Sequence, residues 1–321
     1  MNAAIETAWS PYWVPSAPPS LATMLAPHLQ PVPVIPVLAL IVAALYLMGA
    51  IRLWRNGRRW SVLATVSFVA GCLVTAVVMG AGIEGYGFRL FSAFMFQQLT
   101  LMMAVPPLLV LGRPGTLLLR ATPHAGLGRL VLRGALWGLR SALGRLLLHP
   151  ALSIALFLLS FYGLYLGSLA DRLLSSWGGH VGLELAFLLA GVLFTVPVLS
   201  SDPLPRRQRQ WGRAVDMFVE MPLHAFFGVI VMMASAPLVA TFSRPPASWG
   251  VDVMSDQGIA GGLAWSYGEL PSLVLLLIVF ARWEREERHA HDTPRADGRT
   301  TVEAELDDYN GYLERLRAHD G

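Results

Sequence analysis

The chain of 321 residues contains no lysine: all 24 of its basic residues are arginine. Its one cysteine, Cys72, excludes an internal disulfide and any paired-thiol chemistry. Charge is scarce, at 14% of residues, where a soluble domain carries about 25%. No glycine-rich nucleotide loop follows a strand pattern, and no Walker, HExxH or GxSxG motif is present. The soluble enzyme classes that those motifs mark are therefore excluded. So is a nucleotide-driven pump. Two related halves with interrupted spans, the mark of many secondary transporters, are also missing. A modest basic balance of +3 and a pI near 9.3 do not point to nucleic acid, because the arginines flank apolar segments rather than forming a soluble basic domain.

What remains is apolar. Hydrophobic residues make up 55% of the chain, the mean hydropathy is +0.53, and long runs reach the roughly 20 residues that cross a bilayer. The runs predict seven spans, at 35–54, 61–80, 91–112, 150–170, 180–200, 215–240 and 260–282. The expected fold is all-α: a polytopic integral membrane protein built as a seven-helix bundle. A proline-rich segment (1–34) precedes the membrane domain (35–282), and a charged tail (283–321) follows it. The first segment has no basic n-region of the kind a cleaved signal peptide carries, so the first span is expected to start insertion. In span three, Pro106 and Pro107 should kink or end the helix.

The arginines orient this bundle. With the N-terminus outside and the C-terminus inside, 21 of them fall on the cytoplasmic side and only Arg89, Arg172 and Arg244 on the other. The third connection holds Arg113, Arg120, Arg129, Arg133, Arg140 and Arg145 without an acid. Over 127–148 it reads as an interfacial amphipathic helix against anionic lipid or a partner. The expected location is a bacterial cytoplasmic membrane.

Polar groups within spans are costly, so they are the candidates for function. Gln97 and Gln98 sit in span three beside Met95, Met102 and Met103, while His180 and Glu184 lie one turn apart in span five. Imidazole, carboxylate and thioether can hold a transition metal, with methionine favouring Cu(I); the alternative is headgroup-level placement of His180 and packing methionines. In span six, Asp216, Glu220 and His224 share a face at i, i+4 and i+8, and Glu269 in span seven is a candidate partner for His224. That pair reads as a structural hydrogen bond or as part of a proton path.

Several stretches together resemble the caa3-type cytochrome c oxidase assembly factor family, often called CtaG, in its actinobacterial form. They are FSAFMFQQLTLMMAVPPLLVLGRPG (91–115), LLHP (147–150), GHVGLELAFLLAGVLFTVPVLSSDPLPRR (179–207), MPLHAFFGVIVM (221–232), DQGIAGGLAWSYGELPSL (256–273) and YNGYLERL (309–316). The resemblance implies a seven-helix, non-enzymatic protein that works with cytochrome c oxidase subunits or assembly intermediates, with copper as the metal. It also marks Asp202, His224, Asp256, Gln257 and Glu269 as family positions. Where the family pattern carries histidine, this chain has Phe94, Gln98 and Ala186. A copper site would therefore rest on His180, Glu184 and Met95. The alternatives are an accessory subunit of the oxidase or its supercomplex that handles no metal, and a membrane transporter working through His224 and Glu269.

Overall fold

The computed structural model describes residues 10–123, 125–200, 202 and 210–292. Among these residues the chain is helical, with no strand and one isolated bridge between Pro27 and Ala81. Contacts divide the chain into two units, residues 1–275 and 276–321.

Four helical stretches are long and apolar enough to cross a membrane: Val34–Arg55, Phe91–Ala121, Trp177–Leu199 and Val253–Ala281. Three more apolar helices are shorter, Val62–Val78, Ala151–Gly163 and Met221–Met233. All seven expected runs thus contain an apolar helix, four of them at full spanning length.

In the first unit a short helix α1 (Leu21–Leu25) precedes α2 (Val34–Arg55) and α3 (Val62–Val78). Ala43, Tyr46, Ala50 and Leu53 of α2 pack with Phe68 and Cys72 of α3. Small residues bring the helices close, and Tyr46 then stacks on Phe68 with ring centres 4.0 Å apart. Its hydroxyl donates to the Gly112 carbonyl at 2.7 Å, satisfying a polar atom that burial would otherwise leave costly. The opposite side of α2 exposes Val37, Leu38, Leu40, Ile41, Leu45 and Met48, the kind of apolar belt that hydrocarbon covers.

A tight turn leads through α4 (Gly82–Gly87) to α5 (Phe91–Leu99), a π turn (Thr100–Ala104), α6 (Val105–Leu111) and α7 (Pro114–Ala121). The expected break at Pro106 and Pro107 does not end the helix. Both prolines fall in the first turn of α6, immediately after the π turn, where the wider backbone spacing accommodates their missing N–H groups. The chain instead turns at Gly112 and Arg113, whose φ of 50° is left-handed.

The third connection forms α8 (Gly126–Arg140) and α9 (Ala142–Leu147), divided at Ser141, whose hydroxyl caps the second helix. Leu127, Leu130, Val131 and Trp137 of α8 are exposed, as the amphipathic reading of this segment requires.

Helix α10 (Pro150–Leu158) continues into a π turn (Leu159–Gly163) and is followed by α11 (Leu169–Leu174), α12 (Trp177–Leu199) and α13 (Gln210–Met233). Helix α13 stops seven residues before the end of the expected span at 240. Pro237 disfavours helix before it, and the Gln257 amide takes over the local hydrogen bonding. It accepts from the Leu238 N–H at 2.8 Å and donates to the Ala236 carbonyl at 3.3 Å. Two 3₁₀ turns, Ala240–Phe242 and Ala247–Trp249, lead to α14 (Val253–Ser266), which starts earlier than the expected span because Asp252 caps it through the Ser255 N–H at 2.8 Å. Helices α13 and α14 cross at Gly228 and Gly261. A Cβ on Gly228 would lie 2.6 Å from the Gly261 carbonyl oxygen, and one on Gly261 would lie 2.7 Å from that of Gly228. Backbones this close require glycine on both helices.

Helix α15 (Glu269–Asp292) restarts after a turn at Tyr267 and Gly268 and runs into the second unit. There Arg288 pairs with Glu284 at 2.5 Å. The rest of the expected charged tail, residues 293–321, lies outside the described residues.

The main core gathers Phe91, Phe94, Met95, Phe157, Phe161, Tyr165, Phe187 and Phe227 around α5, α10, α12 and α13. Residues 10–33 pack across one end. Trp13 donates its N–H to Gln30 at 2.7 Å, Tyr86 donates its hydroxyl to the Ala17 carbonyl at 3.0 Å, and Trp249 donates to the Pro15 carbonyl at 3.1 Å.

Candidate functional site

Helix α12 begins where the Ser176 hydroxyl accepts from the Gly179 N–H at 3.0 Å, which fixes its register. One turn on, His180 and Glu184 point into the protein, and the His180 Nε2 lies 3.1 Å from the Glu184 Oε1. The third member of the site is Glu84 from α4. Ligand atoms of Glu84, His180 and Glu184 all lie within 4.8 Å of one another, and all three residues are buried. Their exposures are 4%, 1% and 1%. Neither Glu184 oxygen nor the His180 Nε2 has a hydrogen-bond partner of acceptable geometry. Such unsatisfied groups are costly in an apolar interior and call for an explanation.

Gln97 holds Glu84 in place, donating from its Nε2 to the Glu84 Oε2 at 2.6 Å. Gly87 makes room for that amide, since a Cβ there would collide with the Gln97 Oε1. Burial pushes the Glu84 carboxyl well above the usual carboxylate range; the nearby Glu184 carboxylate raises it further, while His180 and the Gln97 amide oppose the rise.

The site is roofed by rings. Phe88 stacks on His180 with ring centres 4.0 Å apart, and Tyr12 of the N-terminal segment stacks on Phe88 at 4.5 Å. Phe94 stands beside them, 5.0 Å from the His180 ring. Tyr12 and Phe88 also line a cleft of about 260 Å³ with Arg89, Ser175, Ser176 and Arg244.

The other sequence candidates fall elsewhere. Gln98 donates to the Ser160 carbonyl in the second π turn at 3.0 Å and accepts from the Tyr165 hydroxyl, so it is spent on packing. Met95 is fully buried in the aromatic core. Ala186 is exposed, on the side of α12 away from Glu184. Asp256 accepts from the N–H groups of Phe91 (2.7 Å) and Ser92 (3.3 Å) and from the Ser92 hydroxyl, capping α5. Asp202 accepts from the N–H groups of Gly115 and Thr116, both at 2.9 Å, and caps α7 in the same way. Buried His224 approaches Glu269 to 3.9 Å; that glutamate is 42% exposed at its side chain. The side chains of Asp216 and Glu220 lie outside the described residues.

Glu84 is absent from the candidates read in the sequence. Its signal was there: it is the one acid between Glu6 and Asp171. In a chain that excludes acids from 164 consecutive positions but one, that position is a candidate in its own right.

A family model described as cytochrome c oxidase caa3 assembly factor matches residues 44–286. The chain belongs to the cytochrome c oxidase caa3 assembly factor family. Uncharacterized proteins of Mycobacterium bovis and Mycobacterium tuberculosis are each 35% identical over 276 residues, which is 84% of this chain and 42% of theirs. One from Mycobacterium leprae is 34% identical over 282 residues, 87% of this chain and 43% of its own. The chain thus spans less than half the length of these relatives. No solved structure matches it. Within the family match lie Glu84, His180 and Glu184, together with Phe94 and Gln98, the residues that stand where the resemblance expects imidazole.

Proposed function

We propose that the chain is a non-catalytic assembly factor for cytochrome c oxidase, set in a bacterial cytoplasmic membrane by seven spans with the N-terminus outside and the C-terminus inside. It engages oxidase subunits or assembly intermediates and holds, transiently, the copper that an oxidase centre needs. The observation that carries this reading is the convergence of Glu84, His180 and Glu184, with the His180 Nε2 and both Glu184 oxygens left without a well-formed hydrogen bond, inside a chain of the assembly-factor family. The opposed ends of the bundle support the orientation. Arg58 donates to the Arg120 carbonyl at 3.0 Å and Arg120 to that of Arg59 at 3.0 Å, which gathers arginines at one end. Arg89 and Arg244 share the cleft beside the roofed site.

A second reading, a permanent accessory subunit, draws on Phe94 and Gln98. Both are packed into the core without a free ligand atom directed at His180. Affinity purification of the full chain in mild detergent separates the two. Recovery with haem- or copper-deficient intermediates is expected for the assembly factor. Stoichiometric recovery with mature oxidase alone would replace it with the accessory subunit, and recovery with neither would sink both.

A further inference from the structure

We propose that Glu84, His180 and Glu184 form a closed site for one divalent metal ion of borderline hardness, Zn2+ or Cu2+ in kind, and not for Cu(I). The inference rests on the reading above only in its choice of site; it concerns which ion the site takes.

The charge balance decides the class. Two carboxylates and a neutral imidazole bring two negative charges, all but fully removed from water. A divalent cation makes the buried set neutral, whereas Cu(I) would leave one uncompensated charge in an apolar surround, which is expensive. Donor chemistry points the same way. Carboxylate oxygen and imidazole nitrogen suit divalent first-row ions, while Cu(I) selects soft thiolate and thioether sulfur. The methionine that the sequence reading offered for this purpose, Met95, is committed to the aromatic core.

The surroundings are those of a built site. Gln97 orients Glu84 through the 2.6 Å hydrogen bond, the kind of support that fixes a ligand carboxylate. The open valences are aimed inward: both Glu184 oxygens and the His180 Nε2 are buried, and although the imidazole nitrogen lies 3.1 Å from one of those oxygens, none of the three atoms makes a hydrogen bond of acceptable geometry. The three ligand residues come from two elements far apart in sequence, Glu84 from α4 and His180 and Glu184 from α12, so their convergence is a product of the fold rather than of one helix face. Ion binding displaces whatever protons the carboxyls carry and leaves no charge behind. The stack of Tyr12, Phe88 and His180 closes the site toward the cleft of Arg89 and Arg244.

The test uses the full chain in detergent. After loading with Zn2+ or Cu2+ and desalting, the wild type is expected to retain one equivalent. Glu84→Gln, His180→Ala and Glu184→Gln should each lose it, with affinity reduced by more than the roughly 10- to 100-fold that a ligand's supporting partner contributes. Gln97→Ala is expected to fall within that 10- to 100-fold range. Glu269→Gln, at the other polar pair, should bind as the wild type. Gel filtration and thermal melting restrict the comparison to variants that remain folded, and Glu84→Gln serves as the conservative change. Tighter binding of Cu(I) than of the divalent ions under bicinchoninate competition would overturn the proposal, as would a folded Glu84→Gln that still retains a full equivalent. Phe88→Ala should speed extraction of the bound ion by EDTA severalfold without changing the stoichiometry. Haem a absorbance in a deletion strain carrying the wild-type gene tests the assembly reading separately. Its failure to recover would remove that reading and leave the ion site standing.

Discussion

Asp256 and Asp202 illustrate how a polar residue within an apolar chain acquires a purpose. Each carboxylate reaches the bare N-terminus of a distant helix and accepts from two of its backbone N–H groups. Residue 90 before α5 and residue 113 before α7 are Leu and Arg, which supply no cap of their own. Replacing Asp256 by Ala leaves the N–H groups of Phe91 and Ser92 without their acceptor, a loss on the order of 2 kcal/mol. The expected result is a lower melting temperature in detergent, with Asp256→Asn keeping part of the stability. An unchanged melt for the Ala variant would mean that the cap is dispensable. None of this was legible in the sequence, because cap and helix are separated by 165 residues in one case and 87 in the other. The His180 and Glu184 pair was legible, being one helical turn apart. Glu84 was visible as an isolated acid, but only the fold brings it to the pair.

Among the helices, what patterning determined and what packing determined separate cleanly. Among the described residues each of the seven expected apolar runs holds an apolar helix, since a chain this apolar must satisfy its backbone internally wherever water is excluded. Their ends followed other rules. Helix α13 ends early because Gln257, from α14, takes over its hydrogen bonds, and the double proline sits in the first turn of α6, directly after a π turn, without ending the helix. The crossing of α13 and α14 rests on Gly228 and Gly261, whose backbones meet with no space for a methyl group. Gly228→Ala should therefore force the helices apart at a cost of about 1–3 kcal/mol. Thermal unfolding in detergent would register it, and a wild-type melting temperature would show that the crossing has slack. Gly262→Ala, one residue from the contact and facing open space, provides the comparison.

For the whole molecule, the proposed orientation rests on the distribution of the arginines along the sequence, whereas the site depends on which helices meet. The orientation can be tested directly. Ser175→Cys should react with a membrane-impermeant maleimide on intact cells, and Asn56→Cys only after lysis; the reverse pattern would invert the bundle. Both positions are exposed. The experiment is unusually clean because the natural thiol, Cys72, is 3% exposed in the packing between α2 and α3. Sealed in that contact, it offers no background to a reagent that stays in water. Introduced thiols can therefore be read in the otherwise native chain, without first removing a cysteine and disturbing the α2–α3 packing.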